Sequence, residues 1–192
     1  MRYPLLFLAS AAMLLSACTP STVSLDYLPN YAANVRGPAI FQAGEFVDQR
    51  GVQSNYLGGI GIRNVVNLES IYLKVPVSES VRNAVLHALD ARKMLSRGQP
   101  HYVLSGEVLD LRCELLKNPY AYVQLRVKMT DVHTGRVVFV KEFEGERQAA
   151  SYIPGSGDPV PTLRNLTSRA LQDAVDKLVD DPEMRRVMRG EH

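Results

Sequence analysis

Residues 121–130 constrain the fold more than any other stretch of the chain. Ala121, Val123, Leu125, Val127 and Met129 alternate with Tyr122, Gln124, Arg126, Lys128 and Thr130. Successive side chains on a strand point to opposite sides, so a period of two sorts the apolar residues to one face and the polar ones to the other. Such a strand belongs to a sheet buried on one side. The chain must supply a layer over the Val123, Leu125 and Val127 face. The opposite face then stays open and presents Tyr122, Gln124, Arg126 and Lys128.

Two helical stripes can provide that layer. Val81, Val85 and Leu89 fall at i, i+4 and i+8, with Ala84, Ala88 and Leu95 beside them. The spacing predicts a helix from an N-cap at Ser78 to about Arg97, stopped by Gly98 and Pro100, with Arg82, Asp90, Arg92 and Lys93 on its wet side. A second helix, capped by Thr162, carries Leu163, Leu166, Ala170, Ala174 and Leu178 as its stripe, widened by Leu171 and Val175. Asp180-Asp181-Pro182 interrupts it.

The remaining strands are less regular. Ala39–Asp48 is expected as the first, with Phe41, Ala43 and Val47 sharing one parity. Ile71–Val75 is a short strand stopped by Pro76. In His101–Leu111, Leu104 and Val108 share one parity while Leu109 and Leu111 share the other, which fits a bulge or burial on both faces. Residues 131–136 form a hairpin loop with Gly135 where positive φ is needed, and Val137–Phe143 pairs back. Gly145–Pro161 reads as a long loop. The order predicts a two-layer α+β domain, with a mainly antiparallel sheet of about four to five strands and two helices packed on one face.

Motifs for chemistry are sparse. Gly58, Gly59 and Gly61 do not complete a dinucleotide fingerprint, because Asn64 stands where the last glycine belongs, and no G-K-[ST] follows. These glycines read as a turn or ordered loop. His87, His101, His133 and His192 fall in no metal-ligand spacing, and Cys113 has no C-x-x-C companion. Ser156, in Pro154-Gly155-Ser156-Gly157, is not a nucleophile elbow. No catalytic residue, metal ligand or cofactor site is assigned. A hydrolase would require a serine or carboxylate to meet His101 or His133 in space.

The N-terminus follows a processing-signal plan. Arg2 precedes the apolar run Leu5–Leu15, whose 11 residues would cover roughly 17 Å as a helix against about 30 Å of hydrocarbon. Leu15, Ser16 and Ala17 then lead into Cys18. This pattern resembles the lipobox of bacterial lipoproteins, which implies removal of residues 1–17 and acylation of Cys18, palmitate among the chains. Two or more chains make such an anchor durable. Thr19, rather than Asp, follows Cys18, which in enteric-type sorting implies the outer membrane, periplasmic side, over the inner membrane. Residues 18–38, with Pro20, Pro29, Gly37 and Pro38, read as the lipidated cysteine and a tether, with packing of part of it on the domain through Tyr27, Leu28 and Tyr31 as the alternative. As a coil it would reach about 25 Å. Residues 39–192 form one domain.

Without residues 1–17 the chain carries 21 basic and 20 acidic side chains, a net charge of +1. That makes no electrostatic case for nucleic acid. Cys113, unpaired once Cys18 is acylated, is expected as a buried inert thiol or an intermolecular contact.

Phe46-Val47-Asp48-Gln49-Arg50-Gly51, the glycines at 58–61, the helix–meander–helix order and Val179-Asp180-Asp181-Pro182 together resemble the YajG-like outer-membrane lipoproteins. The likeness covers most of residues 39–188. More loosely, the order is similar to auxiliary lipoproteins of lipid-transport ABC systems and to curli-secretion-type lipoproteins. The resemblance implies location and fold, and no reaction. The function expected is that of a non-enzymatic accessory or assembly factor. It would be held to the membrane through Cys18 and bind an envelope protein over Tyr122, Gln124, Arg126 and Lys128. The alternative is a lipid- or glycan-binding component of envelope transport, using a groove in the helix layer or the 145–161 loop.

Overall fold

The structure is a computed structural model that describes residues 20–28, 36–61, 69–153 and 155–189. The lipobox residues Leu15, Ser16, Ala17 and Cys18 lie outside the described residues. In chain order the elements are β1 (Ser21–Val23), β2 (Phe41–Asp48), β3 (Tyr56–Ile60), β4 (Glu69–Leu73), α1 (Val77–Ala91), β5 (Tyr102–Leu115), β6 (Pro119–Asp131), β7 (Val137–Gln148), α2 (Val160–Val179) and α3 (Pro182–Met188).

The α+β class is as expected, but the sheet is larger and mixed. It has seven strands, ordered β1-β4-β3-β5-β6-β7, with β2 also pairing β5. Three pairings, β1–β4, β2–β5 and β3–β5, are parallel. Strand β5 is long enough to explain this. Its first half takes β2 along one edge and its last three residues take β3 along that same edge. The two short strands therefore run end to end in one direction. Part of the expected tether is also sheet, since Ser21, Thr22 and Val23 pair with Ile71, Tyr72 and Leu73. Strand β7 runs to Gln148, which shortens the expected loop.

Two bulges account for the broken alternations. Register shifts between Ala43 and Phe46 in β2, so Phe46 turns inward and Val47, placed inside from its parity, turns out. A shift between Val108 and Asp110 lets Leu104, Val108, Leu111, Cys113 and Leu115 all face the core. The glycines at 58–61 are not a loop, because Gly58, Gly59 and Ile60 lie in β3 between β4 and β5. A Cβ on Gly58 would come within 1.8 Å of the Cys113 carbonyl oxygen, so no other residue fits that approach.

The two long helices share one face of the sheet: α2 lies over β6 and β7, where Ala121, Val123, Leu125, Val127 and Met129 are all fully buried, and α1 lies beside it over β2 and β5. Helix α1 contributes Val81, Val85 and Leu89, and α2 contributes Leu163, Ala170, Leu171, Ala174 and Leu178. A Cβ on Gly145 would lie 1.9 Å from the Ala170 carbonyl oxygen, so α2 rests directly on the β7 backbone there. Helix α1 begins after Pro76 with no side-chain cap from Ser78 and ends six residues before Arg97. Lys93 has φ 60°, which stops the helix. Asp181 caps α3 by accepting from the Glu183 and Met184 amides, so the Asp-Asp-Pro sequence is a helix-to-helix joint.

Candidate functional site

The open sheet face brings the four nominated residues together. Tyr122, Gln124, Arg126 and Lys128 project from β6 opposite the helix layer, as their parity requires. Register sets Arg126 between Glu107 of β5 and Glu142 of β7. Its Nη1 lies 3.0 Å from Glu107 Oε2, and its Nη2 2.8 Å from Glu142 Oε1. Gln124 Nε2 donates to Glu142 Oε2 at 3.0 Å. Hydrogen bonding from Glu142, then its charge and that of Glu107, raises the Arg126 guanidinium above its usual pKa. The Arg112 guanidinium sits 5.3 Å over the Tyr122 ring. Lys128 forms no ion pair among the described residues, and its neighbours across the sheet are Ser105 and the exposed Val140. The face is a cross-strand charge ladder with one cation to spare.

The sheet edges are less available. On β2, the Phe41 amide donates to the Met94 carbonyl at 3.0 Å, the Ser96 amide to the Phe41 carbonyl at 2.8 Å, and Arg82 Nε to the Gly44 carbonyl at 3.2 Å. On β7, Lys177 Nζ takes the Glu144 carbonyl at 2.8 Å. These contacts cap part of β2 and one carbonyl of β7 against strand addition.

A second feature lies on the helix side. After β1 the chain runs as Ser24–Leu28 over α2. Arg164 Nε donates to the Ser24 carbonyl at 2.7 Å, Arg164 pairs with the Asp26 carboxylate, and the Asp26 amide donates to Ser168 Oγ at 3.1 Å. Tyr27 donates its hydroxyl to Asp176 Oδ1 at 2.5 Å. Arg92, only 2% exposed, spans Asp180 with Nε at 2.9 Å and Nη2 at 2.8 Å, and reaches Asp176 at 2.9 Å. Its expected place on the wet side of a helix is corrected, because α1 ends at Ala91 and the next residue turns inward. Burial, reinforced by the hydrogen bond to Asp176, raises the Tyr27 pKa well above a usual phenol.

Between this segment and α1 lies an open cleft of about 390 Å³. Val23, Leu73, Ala84 and Leu171 give it apolar walls, and Asn83 and His87 add polar groups. The volume sits at the lower end of the roughly 300–1,000 Å³ of small-molecule sites. Periodicity gave no sign of it, because its wall is the segment read as tether. The signal for Arg92 was present: Asp176 and Asp180, at i and i+4 by a helix C-terminus, oppose the helix dipole and need a cation.

The other flagged residues lie apart. His101 and His133 meet edge-on with ring centroids 5.5 Å apart, at the β6–β7 hairpin end. His192 lies outside the described residues. Cys113 is buried, and desolvation pushes its thiol up to about 12. Among the described residues no group of three His, Cys, Asp or Glu side chains is placed to hold a metal, and no helix is long and apolar enough to cross a membrane.

No family model matches the chain, and no curated protein matches it. Solved structures do. Protein XCC0632 from Xanthomonas campestris, of the family DUF330, superposes with a TM-score of 0.66 at 15% identity, covering 91% of this chain and 100% of that one. An uncharacterized protein matches with a TM-score of 0.57 at 10% identity, covering 83% and 96%. A minor lipoprotein from Acinetobacter baumannii matches with a TM-score of 0.43 at 9% identity, covering 67% and 93%. At these identities the likeness to the first two is one of fold.

Proposed function

We propose that this protein is a non-enzymatic bacterial lipoprotein, YajG-like, held to the periplasmic side of the outer membrane by acyl chains on Cys18. It acts as an accessory factor that binds another envelope protein. The observation that carries the reading is the open face of β6, where Tyr122, Gln124 and Arg126 are fixed by neighbours and Lys128 is left without an ion pair. Such a face is pre-organised, so little side-chain freedom is lost on binding. Lys128 offers a charge for steering an acidic patch on the partner. Replacing Arg126 and Lys128 with Glu is expected to leave folding intact and remove a partner captured by in-cell cross-linking. An unchanged cross-linking pattern contradicts this surface. K128E alone, which disturbs no ion pair among the described residues, is the cleaner variant.

A second reading is supported by the cleft beside Tyr27. Its size suits one small apolar group, such as a single acyl chain, better than a whole two-chain phospholipid. Native mass spectrometry of residues 19–192, purified from the periplasm, decides between the two. A reproducible extra mass of lipid size favours the lipid-binding component, and a bare mass favours the partner-binding factor.

A further inference from the structure

Resting on the lipid-anchored reading of Cys18, we infer that one end of the sheet lies against the bilayer surface, with Leu116 and Ile153 in the lipid interface. Strand β1 runs parallel to β4, β4 antiparallel to β3, and β3 parallel to β5. The start of β1 therefore lies at the same end of the sheet as the last residues of β5. Among the described residues, that end carries the 116–118 turn and the residues that follow β7. The Ala149 amide donates to the Pro119 carbonyl at 3.0 Å, and Ser151 Oγ bonds Asn118 Oδ1 at 2.8 Å, so the two connections form one surface.

Two large aliphatic side chains are exposed on it, Leu116 at 56% and Ile153 at 70%. Lys117 stands beside Leu116, as suits anionic headgroups. Only Thr19 and Pro20 separate Cys18 from Ser21, the first residue of β1. Three chain steps reach about 10 Å. Acyl chains on Cys18 thus hold this end at the membrane. Strand β5 lies three places from β1, about 14 Å away at the usual strand spacing. The surface therefore gains a second point of contact beside the anchor. Val132 and Val137 are also exposed, but at the far end of β6, some 40 Å away along the strand and beyond the reach of the anchor. With this end down, the β6 strand rises from the membrane and Arg126 stands about 23 Å above the Pro119 end.

The test uses the full chain, processed in cells and reconstituted into phosphatidylethanolamine–phosphatidylglycerol vesicles with or without brominated acyl chains. Single-cysteine variants L116C, I153C and V137C carry an environment-sensitive fluorophore. The buried Cys113 thiol stays unlabelled. Quenching at positions 116 and 153 with none at 137 is expected. Acylated Cys18 without quenching at 116 and 153, or with quenching at 137 instead, overturns the docking and leaves the anchor. An unmodified N-terminal peptide by mass spectrometry overturns the anchor and the docking together.

Discussion

Arg50 Nη1 donates to the carbonyl oxygen of Leu111 at 2.7 Å, bridging the gap where β2 has ended and β3 has not begun. Leu111 lies in the part of β5 that neither short strand pairs. The same nitrogen reaches the Tyr56 carbonyl at 2.7 Å, and Nε and Nη2 each hold the Asp48 carboxylate at 2.8 Å. The D-x-R sequence is thus a plug that completes the sheet.

Removing the plug orphans buried acceptors. R50A is expected to cost about 3 kcal/mol, since the Asp48 carboxylate, 13% exposed, then loses its buried partner. Urea unfolding should show a lower midpoint with an unchanged slope.

Acid should weaken the same contact. Burial alone would raise the Asp48 pKa, but hydrogen bonds and charge from Arg50 more than offset that and leave it lowered. A depressed folded pKa gives stability that is present above the unfolded value near 4 and lost as pH falls through the folded one. Wild type should lose stability below about pH 4, and R50A should show a shallower loss there.

Tyr27 holds the first described segment to the helices. Y27F should cost about 1.5–3 kcal/mol by removing the hydrogen bond donated to the Asp176 carboxylate and the one accepted from Arg92 Nη1 at 3.3 Å. Its raised pKa means the protonated phenol is favoured on folding, so that contribution holds below the unfolded pKa near 10 and fades as pH rises beyond it. Thermal melts from pH 8 to 11 should show a smaller fade in Y27F than in wild type, since the buried Cys113 thiol contributes its own loss in both.

Gly145→Ala should push α2 off β7 and cost about 1–3 kcal/mol through overpacking, read as a lower melting temperature. Cys113 should resist alkylation in the native state and react only at the rate of opening, because it is buried and weakly acidic.

Much of this was legible in local pattern. The β6 alternation placed five residues inside and five on the other face, and the stripes of α1 and α2 named most of their core residues, although Leu95 lies beyond α1, Leu166 is only partly buried, and α2 starts at Val160, ahead of the expected cap at Thr162. Longer-range features were not legible. A three-residue strand such as β1 has no period to detect. The β2 bulge reverses parity after Ala43, so Val47 was assigned to the wrong side. Parallel pairing of β2 and β3 with β5 leaves no mark in either segment. A stripe of apolar residues also says nothing of a buried arginine, and only the acidic pair Asp176 and Asp180 points to one. The nominated surface residues share a face because parity is local. Their ion pairs depend on the Glu107–Arg126–Glu142 register, which only the assembled sheet supplies.

The most direct measurement is site-specific photo-cross-linking in cells, with the reactive residue at 122 or 128 on the open face and at 169 on the exposed side of α2. One reproducible adduct with an envelope protein from 122 and 128, absent from 169, is the expected result. No adduct from 122 or 128, or the same adduct from 169, contradicts a partner-binding role for the open face.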